Sequence, residues 1–457
     1  MSQILSNAAL HPKVSESLPG ALNYGSIPPA NSVIVDRKTV RETPMSGSVF
    51  GTTSAALKQM QFRLNSPNLI DPETVRLNFY HRCYGAGKAA VSANARVRCD
   101  DFIQSIIDSV VIKIGSQEAE RIDDYAVLAN ALSYYSMPQE YYDRQASVNE
   151  GAYMYSTSAT SADAAMAAAS AGAWYSIPIH VGLFRQNKLL PPNMDITVEL
   201  NLDSFAKSHI VSSTDGNVVQ SPYAEYELLE CKLTMDEVSV FSSWYGHYDK
   251  AIQSDSGISL PIETYELVPA VVTQPNSSFL ISRGVKDLRT ILSVWRRSSQ
   301  LADVTNSSKA QFQRANVRGY QYKLAGKSYP VDYTDNYAQM FTEIQKGFAQ
   351  LGSIDSGGVI QRTRFTGVDG AAGASLFAIA QNFQNSNESP FSGANTLTQG
   401  YAVTFAFQQR DANSSLPQDQ GAYAADNPSS ANSYQVNNYL HSMKIIDLRS
   451  SRLFITQ

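Results

Sequence analysis

In Leu229-Glu-Cys-Lys-Leu-Thr-Met-Asp236, apolar and polar side chains alternate without a break. Leu229, Cys231, Leu233 and Met235 fall on one face, and Glu230, Lys232, Thr234 and Asp236 on the other. A period of two is that of a strand with one face buried and one face wet. The same signature recurs upstream. Ile196, Val198, Leu200 and Leu202 alternate with Thr197, Glu199 and Asn201, and Val75, Leu77 and Phe79 with Arg76, Asn78 and Tyr80. Ser109 to Ile114 (SVVIKI) is β-branched and apolar, which suits a core strand. Trp174 to Phe184 resumes an extended pattern and turns at Asn187 to Pro192.

Downstream, Leu260 to Val272, Ser278 to Ile281, Leu288 to Trp295, Tyr401 to Phe407, Met443 to Leu448 and Arg452 to Ile455 read as strands. Two segments instead carry three- and four-residue steps, the spacing of a helix face. These are Ala119 to Tyr135, through Ile122, Tyr125, Leu128 and Leu132, and Tyr337 to Phe348, through Met340, Phe341, Ile344 and Phe348. Residues 136–175, with the tract TSATSADAAMAAASAGA, and the Gly-, Ser- and Asn-rich residues 352–397 are predicted as long loops. The chain thus runs twice through one plan: strands, a short helix with long loops, then strands. An α/β fold would need a helix after nearly every strand. The fold class is all-β, built as sandwiches or jelly rolls with short helices and long loops inserted. Residues 1–50 are punctuated by Pro12, Pro19, Pro28, Pro29 and Pro44 and read as an extended N-terminal arm, strand-like only at Ser32 to Val35. The first β unit spans 51–237 and the second 238–457.

Composition narrows the function. Charged residues are 17% of the chain, below the roughly 25% of ordinary soluble domains, while Tyr alone occurs 25 times. A surface poor in charge and rich in Tyr, Asn and Gln suits packing against other subunits. An extracellular all-β domain shares the bias. The net charge of -5, with no long Lys/Arg run, argues against direct or sequence-specific nucleic-acid binding. Cys83, Cys99 and Cys231 form no CxxC, so the spacing predicts no zinc site but buried, reduced thiols and assembly inside a reducing compartment. A Cys83–Cys99 bridge stays open as an alternative. The stretch MSQILSNAALHPKVSES is not a secretory signal, and no apolar run is long enough to span a membrane. The sequons at Asn276, Asn306, Asn387 and Asn413 are therefore read as chance matches.

Motifs for catalysis are missing. His11, His81, His180, His209, His247 and His441 are scattered, with no HExxH, and His81 and His180 sit in predicted strands as hydrogen-bonded structural imidazoles. There is no GxSxG elbow, Walker loop, GxGxxG or calcium loop. Asp123 and Asp124 neighbour each other on the first predicted helix, about 100° apart, and are read as solvating an exposed face. Asp100 and Asp101, beside a strand start, face opposite ways. Arg296-Arg297 is read as an inter-subunit ion-pair site. No catalytic, cofactor or metal residue is assigned, and the chain is read as not an enzyme.

Four ordered pieces together carry a resemblance. Ile177-Pro-Ile-His-Val-Gly-Leu-Phe-Arg-Gln-Asn-Lys-Leu-Leu-Pro-Pro192, with the strand to Leu202 after it, resembles the end of the first roll of double jelly-roll major capsid proteins. Ile70-Asp-Pro-Glu-Thr-Val-Arg-Leu-Asn-Phe79 resembles their early strand. Ser109 to Tyr125, with a turn at Gly115 and Glu120-Arg-Ile-Asp-Asp124 after it, resembles their strand-to-helix passage, and Tyr226 to Val238 the strand leaving the first roll. The likeness is nearest to the coat proteins of polinton-like viruses and virophages, among tailless icosahedral dsDNA viruses. It covers the first half by motif and the second by architecture.

This resemblance implies two tandem eight-stranded antiparallel jelly rolls. It implies a homotrimer whose six rolls make a pseudo-hexameric capsomer tiling an icosahedral shell, with contacts of roughly 2,000 Å² or more. The Tyr-rich loops expected at 134–155 and 318–337 are predicted to supply part of that area. Neighbouring capsomers, penton and minor capsid proteins, and an internal membrane touched by the N-terminal arm are the implied partners. The implied location is the virion. The alternative is a surface or receptor-binding all-β protein that binds glycans, which predicts a signal sequence or repeated carbohydrate motifs. A third reading, a glycoside-active enzyme, predicts two convergent carboxylates beside exposed aromatics.

Overall fold

The computed structural model describes residues 34–91, 95–100, 102–138, 140–141, 146–151, 172–213, 222–254, 257–274, 277–304, 309, 312, 317–334, 336–348, 360, 365, 376–385, 391–397, 401–407, 428–449 and 452–456. The strands of its first half are β1 (Ile34–Glu42), β2 (Val49–Gly51), β3 (Gln59–Leu64), β4 (Leu69–Gly85), β5 (Ala95–Cys99), β6 (Ile107–Ile114), β7 (Gln117–Ile122), β8 (Ala173–Pro178), β9 (Ile196–Leu202), β10 (His209–Ser213) and β11 (Tyr223–Val240). Those of its second half are β12 (Ile258–Val272), β13 (Ser278–Ile281), β14 (Leu288–Arg297), β15 (Val317–Leu324), β16 (Lys327–Tyr329), β17 (Ala378–Asn382), β18 (Tyr401–Phe407), β19 (Tyr434–Arg449) and β20 (Arg452–Thr456). The longer helices are α1 (Tyr125–Ser136), α2 (Ser242–Gln253) and α3 (Tyr337–Phe348).

The strand orders disclose a duplication. In the first half one sheet runs β1-β11-β4-β8 and the other β3-β9-β6-β7. In the second half they run β12-β19-β14-β17 and β13-β18-β15-β16. Taken in chain order, β1, β3, β4, β6, β7, β8, β9 and β11 occupy the places that β12 to β19 occupy in the second half. The helices keep step, since α1 follows β7 and α3 follows β16. Nearly all sheet neighbours are distant in sequence, every strand pairing is antiparallel, and the chain passes repeatedly from one sheet to the other. That is the jelly-roll arrangement, present twice, as the all-β reading expects. β2 and β20 pair with β11 and β19, the second strands of their sheets, and β5 pairs with β10 as a separate two-stranded ribbon.

Alternation explains why these sequences form these strands. β9 buries every second residue, and β4 does so from Val75 onward, so each sheet has one apolar face. Met60, Phe62, Leu77, Phe79, Val110, Ile112, Val198, Leu200, Leu228 and Leu233 meet in one buried cluster. That cluster continues without interruption into the second roll through Leu292, Val294, Trp295, Tyr322, Val436 and Leu440.

Four expectations need correction. The arm expected over residues 1–50 does not extend to residue 50, because β1 is already hydrogen-bonded along β11 from Ile34 to Glu42. Hydropathy missed β1 because it is almost wholly exposed; its side chains hold the sheet by charge, with Arg37 on Asp236 at 2.9 Å and Thr39 on Asp236 at 2.7 Å. Residues 1–33 lie outside the described residues. The boundary placed at 237/238 falls inside β11; the first roll ends at Val240 and α2 links it to β12. The helix expected from Ala119 starts at Tyr125, because Gln117–Ile122 pairs with β6 across the Gly115 turn. Every residue of α1 from Tyr125 to Tyr135 is buried, so it is a core helix rather than an amphipathic surface one. Finally, residues 318–337 are largely the hairpin β15–β16. Most of the long loops predicted at 136–175 and 352–397 lies outside the described residues, as do the four sequon asparagines.

Candidate functional site: the seam between the rolls

Two rolls in tandem behave as one rigid body only if something holds the angle between them. The groups that fix it are buried and polar. Asp124 precedes α1 in a left-handed conformation (φ 50), which aims its side chain across the seam rather than along the helix. Its carboxylate accepts from Arg296 of β14 at 2.5 Å and from Asn437 of β19 at 2.9 Å, and its backbone carbonyl accepts from the Tyr439 hydroxyl at 2.9 Å. Burial acts to raise the Asp124 carboxyl, but the Arg296 charge and the Asn437 hydrogen bond outweigh it and hold the group below the usual carboxylate range.

A second lock forms around Lys309, which projects from the second half into the first. Its ammonium donates to Asp203 at 2.6 Å and to the Ser105 carbonyl at 2.9 Å. Its backbone N–H donates to Asp100 at 2.7 Å, and its carbonyl accepts from Asn130 of α1 at 3.2 Å. A backbone bond from Val211 to the Val304 carbonyl, 2.7 Å, runs alongside. A third contact is aromatic. The rings of Tyr135 in α1 and Phe348 in α3 stack with centroids 5.6 Å apart, and the Tyr135 hydroxyl donates to the Leu376 carbonyl.

At the far side of the seam the turn Gly182–Phe184 presses on β12. A Cβ on Gly182 would stand 1.6 Å from the Glu263 carbonyl oxygen, so only glycine permits the approach. Buried Glu120 holds that turn, accepting from the Gly182 N–H at 3.0 Å and the Leu183 N–H at 3.4 Å. Burial pushes the Glu120 carboxyl up to about 7, despite those donors and nearby Lys444. A raised carboxyl favours the fold below its unfolded value near 4.5, and that contribution is lost as pH rises through about 7. Glu120→Gln keeps one acceptor and has nothing to ionise. The wild-type melting temperature, minus that of the variant, is therefore expected to fall between pH 5 and pH 8 in thermal scans; a difference that stays constant would refute the assignment. Glu263 behaves oppositely. Burial acts to raise it, but the hydrogen bond and charge of His441, then Arg289, hold it down at about 2.

The residues singled out from sequence land as follows. Asp124 does not solvate an exposed helix face, and Arg296 is not an inter-subunit residue: each is the other's partner inside one chain. Asp123 pairs with Arg121 at 3.1 Å, and Asp101 lies outside the described residues. Tyr142, Tyr153 and Tyr155 lie outside the described residues; among those described, the Tyr-rich segments expose less than expected. Tyr134, Tyr135, Tyr320 and Tyr322 are buried, and the Tyr320 hydroxyl is spent on the Ala380 carbonyl at 3.1 Å. Of residues 318–337, Val331, 81% exposed, and Tyr333, 42% exposed, are the large apolar side chains left outside among the described residues. Cys83, Cys99 and Cys231 are free and buried. His81, His180, His209 and His441 are buried, while His247 is exposed in α2. A polar groove over β7 and β12 brings Glu118, Asp123 and Glu266 near Arg121, Arg283 and Lys444, but Asp123 and Glu266 already have cationic partners at 2.6–3.1 Å. Among the described residues no helix is long and apolar enough to cross a membrane.

No family model and no curated protein matches the chain. Solved structures do. The PBCV-1 virus capsid protein superposes with a TM-score of 0.59 at 9% identity, over 92% of this chain and 96% of that one. The Faustovirus major capsid protein gives 0.56 at 8% identity, over 98% of both chains. The mavirus major capsid protein gives 0.51 at 10% identity, over 96% of this chain and 95% of that one. The likeness takes in both rolls and their mutual placement, so the fold is that of double jelly-roll capsid proteins.

Proposed function

We infer that the chain is a structural major capsid protein whose three copies close into a pseudo-hexameric capsomer of an icosahedral virion. The observation that carries this reading is the duplication itself. Two rolls of identical strand order, fixed to one another by a buried seam, give three-fold packing six nearly equivalent edges, and near-hexagons tile flat faces. The likeness to solved capsid proteins over 95–98% of their chains supports it. The role is structural rather than enzymatic, and the place is the virion, after assembly inside the host cell. The partners are copies of the same chain within the capsomer, then neighbouring capsomers, penton and minor capsid proteins. Residues 1–33, polar and proline-rich, suit an arm along the inner face that reaches neighbours or an internal membrane.

The test is the mass of the purified chain by light scattering on a sizing column. A species of about 150 kDa, three times the 50.0 kDa chain, that persists on dilution is expected. A monomer at all concentrations would defeat the trimer, and binding of that monomer to a glycan array would turn the reading to a surface lectin.

A further inference from the structure

His81 and Cys83 lie two residues apart on β4, so both side chains face the core. Cys99 and His209 are directly opposite each other in the β5–β10 ribbon. The fold brings these two pairs together, and all four side chains are buried. His81 Nε2 and His209 Nε2 are 3.1 Å apart, Cys99 Sγ is 3.4 Å from His209 Nε2, and Cys83 Sγ is 3.7 Å from His81 Nε2. The donor atoms of His81, Cys99 and His209 all lie within 4.8 Å of one another. In a tetrahedral zinc site, metal–nitrogen bonds of about 2.0 Å and metal–sulfur bonds of about 2.3 Å put neighbouring donors roughly 3.3–3.8 Å apart. The three contacts stand at or just below that spacing.

The histidine is oriented as a ligand would be. Ser208 Oγ donates its proton to the Ser204 carbonyl at 2.8 Å, so its 2.8 Å contact with His209 Nδ1 is a bond accepted from the ring N–H. His209 Nε2 therefore carries the lone pair, and it is this nitrogen that meets His81 and Cys99. A hydrogen bond to the outer ring nitrogen is how metal-binding histidines are held in tautomer and direction. Phe205 stacks on the His209 ring at 4.5 Å and Tyr226 packs beside it at 4.9 Å, so the ring is clamped. Burial keeps His81 and His209 neutral, the form that binds metal.

We propose that His81, Cys83, Cys99 and His209 form a structural zinc site that ties β4 to the β5–β10 ribbon at one end of the first roll. Cys83, the outlying member, completes the shell by turning its side chain toward the metal. Binding releases one proton from each thiol, and two thiolates balance the charge of a divalent ion, so the loaded site is neutral in its apolar surroundings. Charge balance also answers the thiols' reluctance to ionise when buried, since the metal displaces their protons directly. The spacing carries no CxxC because each pair is made by strand geometry: one by the two-residue repeat, one by cross-strand register.

The experiment measures zinc by plasma mass spectrometry on the full-length chain, expressed with zinc and passed through chelator-treated buffer. Cys99→Ser, His209→Gln and, as a control on a buried thiol elsewhere, Cys231→Ser run in parallel. One equivalent per chain is expected in the wild type and in Cys231→Ser, with at least a tenfold loss in the other two. Should Cys99→Ser or His209→Gln fail to fold, the wild type refolded with cobalt(II) decides: intense thiolate-to-cobalt absorption with tetrahedral d–d bands is expected. A folded wild type that carries no zinc and gives no such spectrum would overturn the site and leave a hydrogen-bonded imidazole pair in its place. So would full zinc content in Cys99→Ser.

Discussion

Asp124→Ala is expected to cost the folded chain about 3–5 kcal/mol, because it leaves the Arg296 guanidinium, 5% exposed, without a counter-charge inside the seam. Asn437 loses its acceptor as well. Part of any loss would come from placing alanine at a left-handed position, about 1 kcal/mol. Asp124→Asn tolerates that conformation and removes only the charge, so the two variants together separate backbone from electrostatics. Arg296→Met in the Asp124→Ala background should recover much of the loss, since a buried ion pair replaced by apolar groups of similar volume is often neutral. Urea unfolding followed by tryptophan fluorescence reads the effect, as Trp295 is buried next to Arg296. A loss below about 1 kcal/mol for both single variants would mean that water reaches Arg296 and that the seam is not closed there. The sign with pH is also fixed. Asp124 is held below its ordinary value, so its contribution is present at neutral pH and fades as pH falls through the acid range near 3.8 and below.

How far the sequence reveals this architecture follows from what each element buries. β9 and α3 were legible to the residue, because each has one apolar face and one polar face over its whole length. β1 was not, because its outward side chains are charged and its stability comes from a backbone ladder on β11. α2 was missed for a related reason: none of its residues is buried, and its apolar contacts come from aromatic rings alone, Trp244 stacked on Tyr248 four residues on at 5.3 Å, and Trp244 with Tyr245 against Leu69, Val238 and Val240. β15 and β16 were hidden behind Tyr, Gln and Lys. Tyr320 and Tyr322 of β15 are core residues whose hydroxyls find partners inside, which hydropathy counts as half polar. The seam was out of reach altogether. Asp124 and Arg296 are 172 residues apart and His81 and His209 are 128 apart, and local periodicity carries no information on which strands meet. The repeated order of strands and helix, with the resemblance, points to tandem rolls; the lock between them lies in pairings that neither carries.

Lys309→Met should prove comparably damaging, and it tests whether burial rather than proximity gives the seam its strength. Lys309 is 2% exposed and its ammonium lies 2.6 Å from Asp203. Lys346 and Glu343, on the surface of α3, have the same 2.6 Å separation, but Lys346 is 54% exposed. Coulomb attraction at equal distance is similar in form; what differs is the medium and the fate of the partner left behind. Glu343 is itself 15% exposed, and with Lys346 in solvent water can take the ammonium's place, so Lys346→Met is expected to cost less than about 1 kcal/mol. Asp203 without Lys309 stays buried, with Lys207 at 4.0 Å and largely in solvent as its remaining cation, and the Ser105 carbonyl loses its donor. The expected cost is about 3–5 kcal/mol. Asp203→Asn added to Lys309→Met should return most of it, because the stranded charge is then gone while Asp100 and Asn130 still hold the Lys309 backbone. Equal losses for Lys309→Met and Lys346→Met would overturn the distinction. If the two-roll angle is what lets three chains close, Lys309→Met should also shift the light-scattering mass toward monomer under conditions where each chain remains folded, and Lys346→Met should leave it unchanged. The buried pair then acts less as glue than as a register, since its partners accept no other alignment of the two rolls without leaving a charge unpaired.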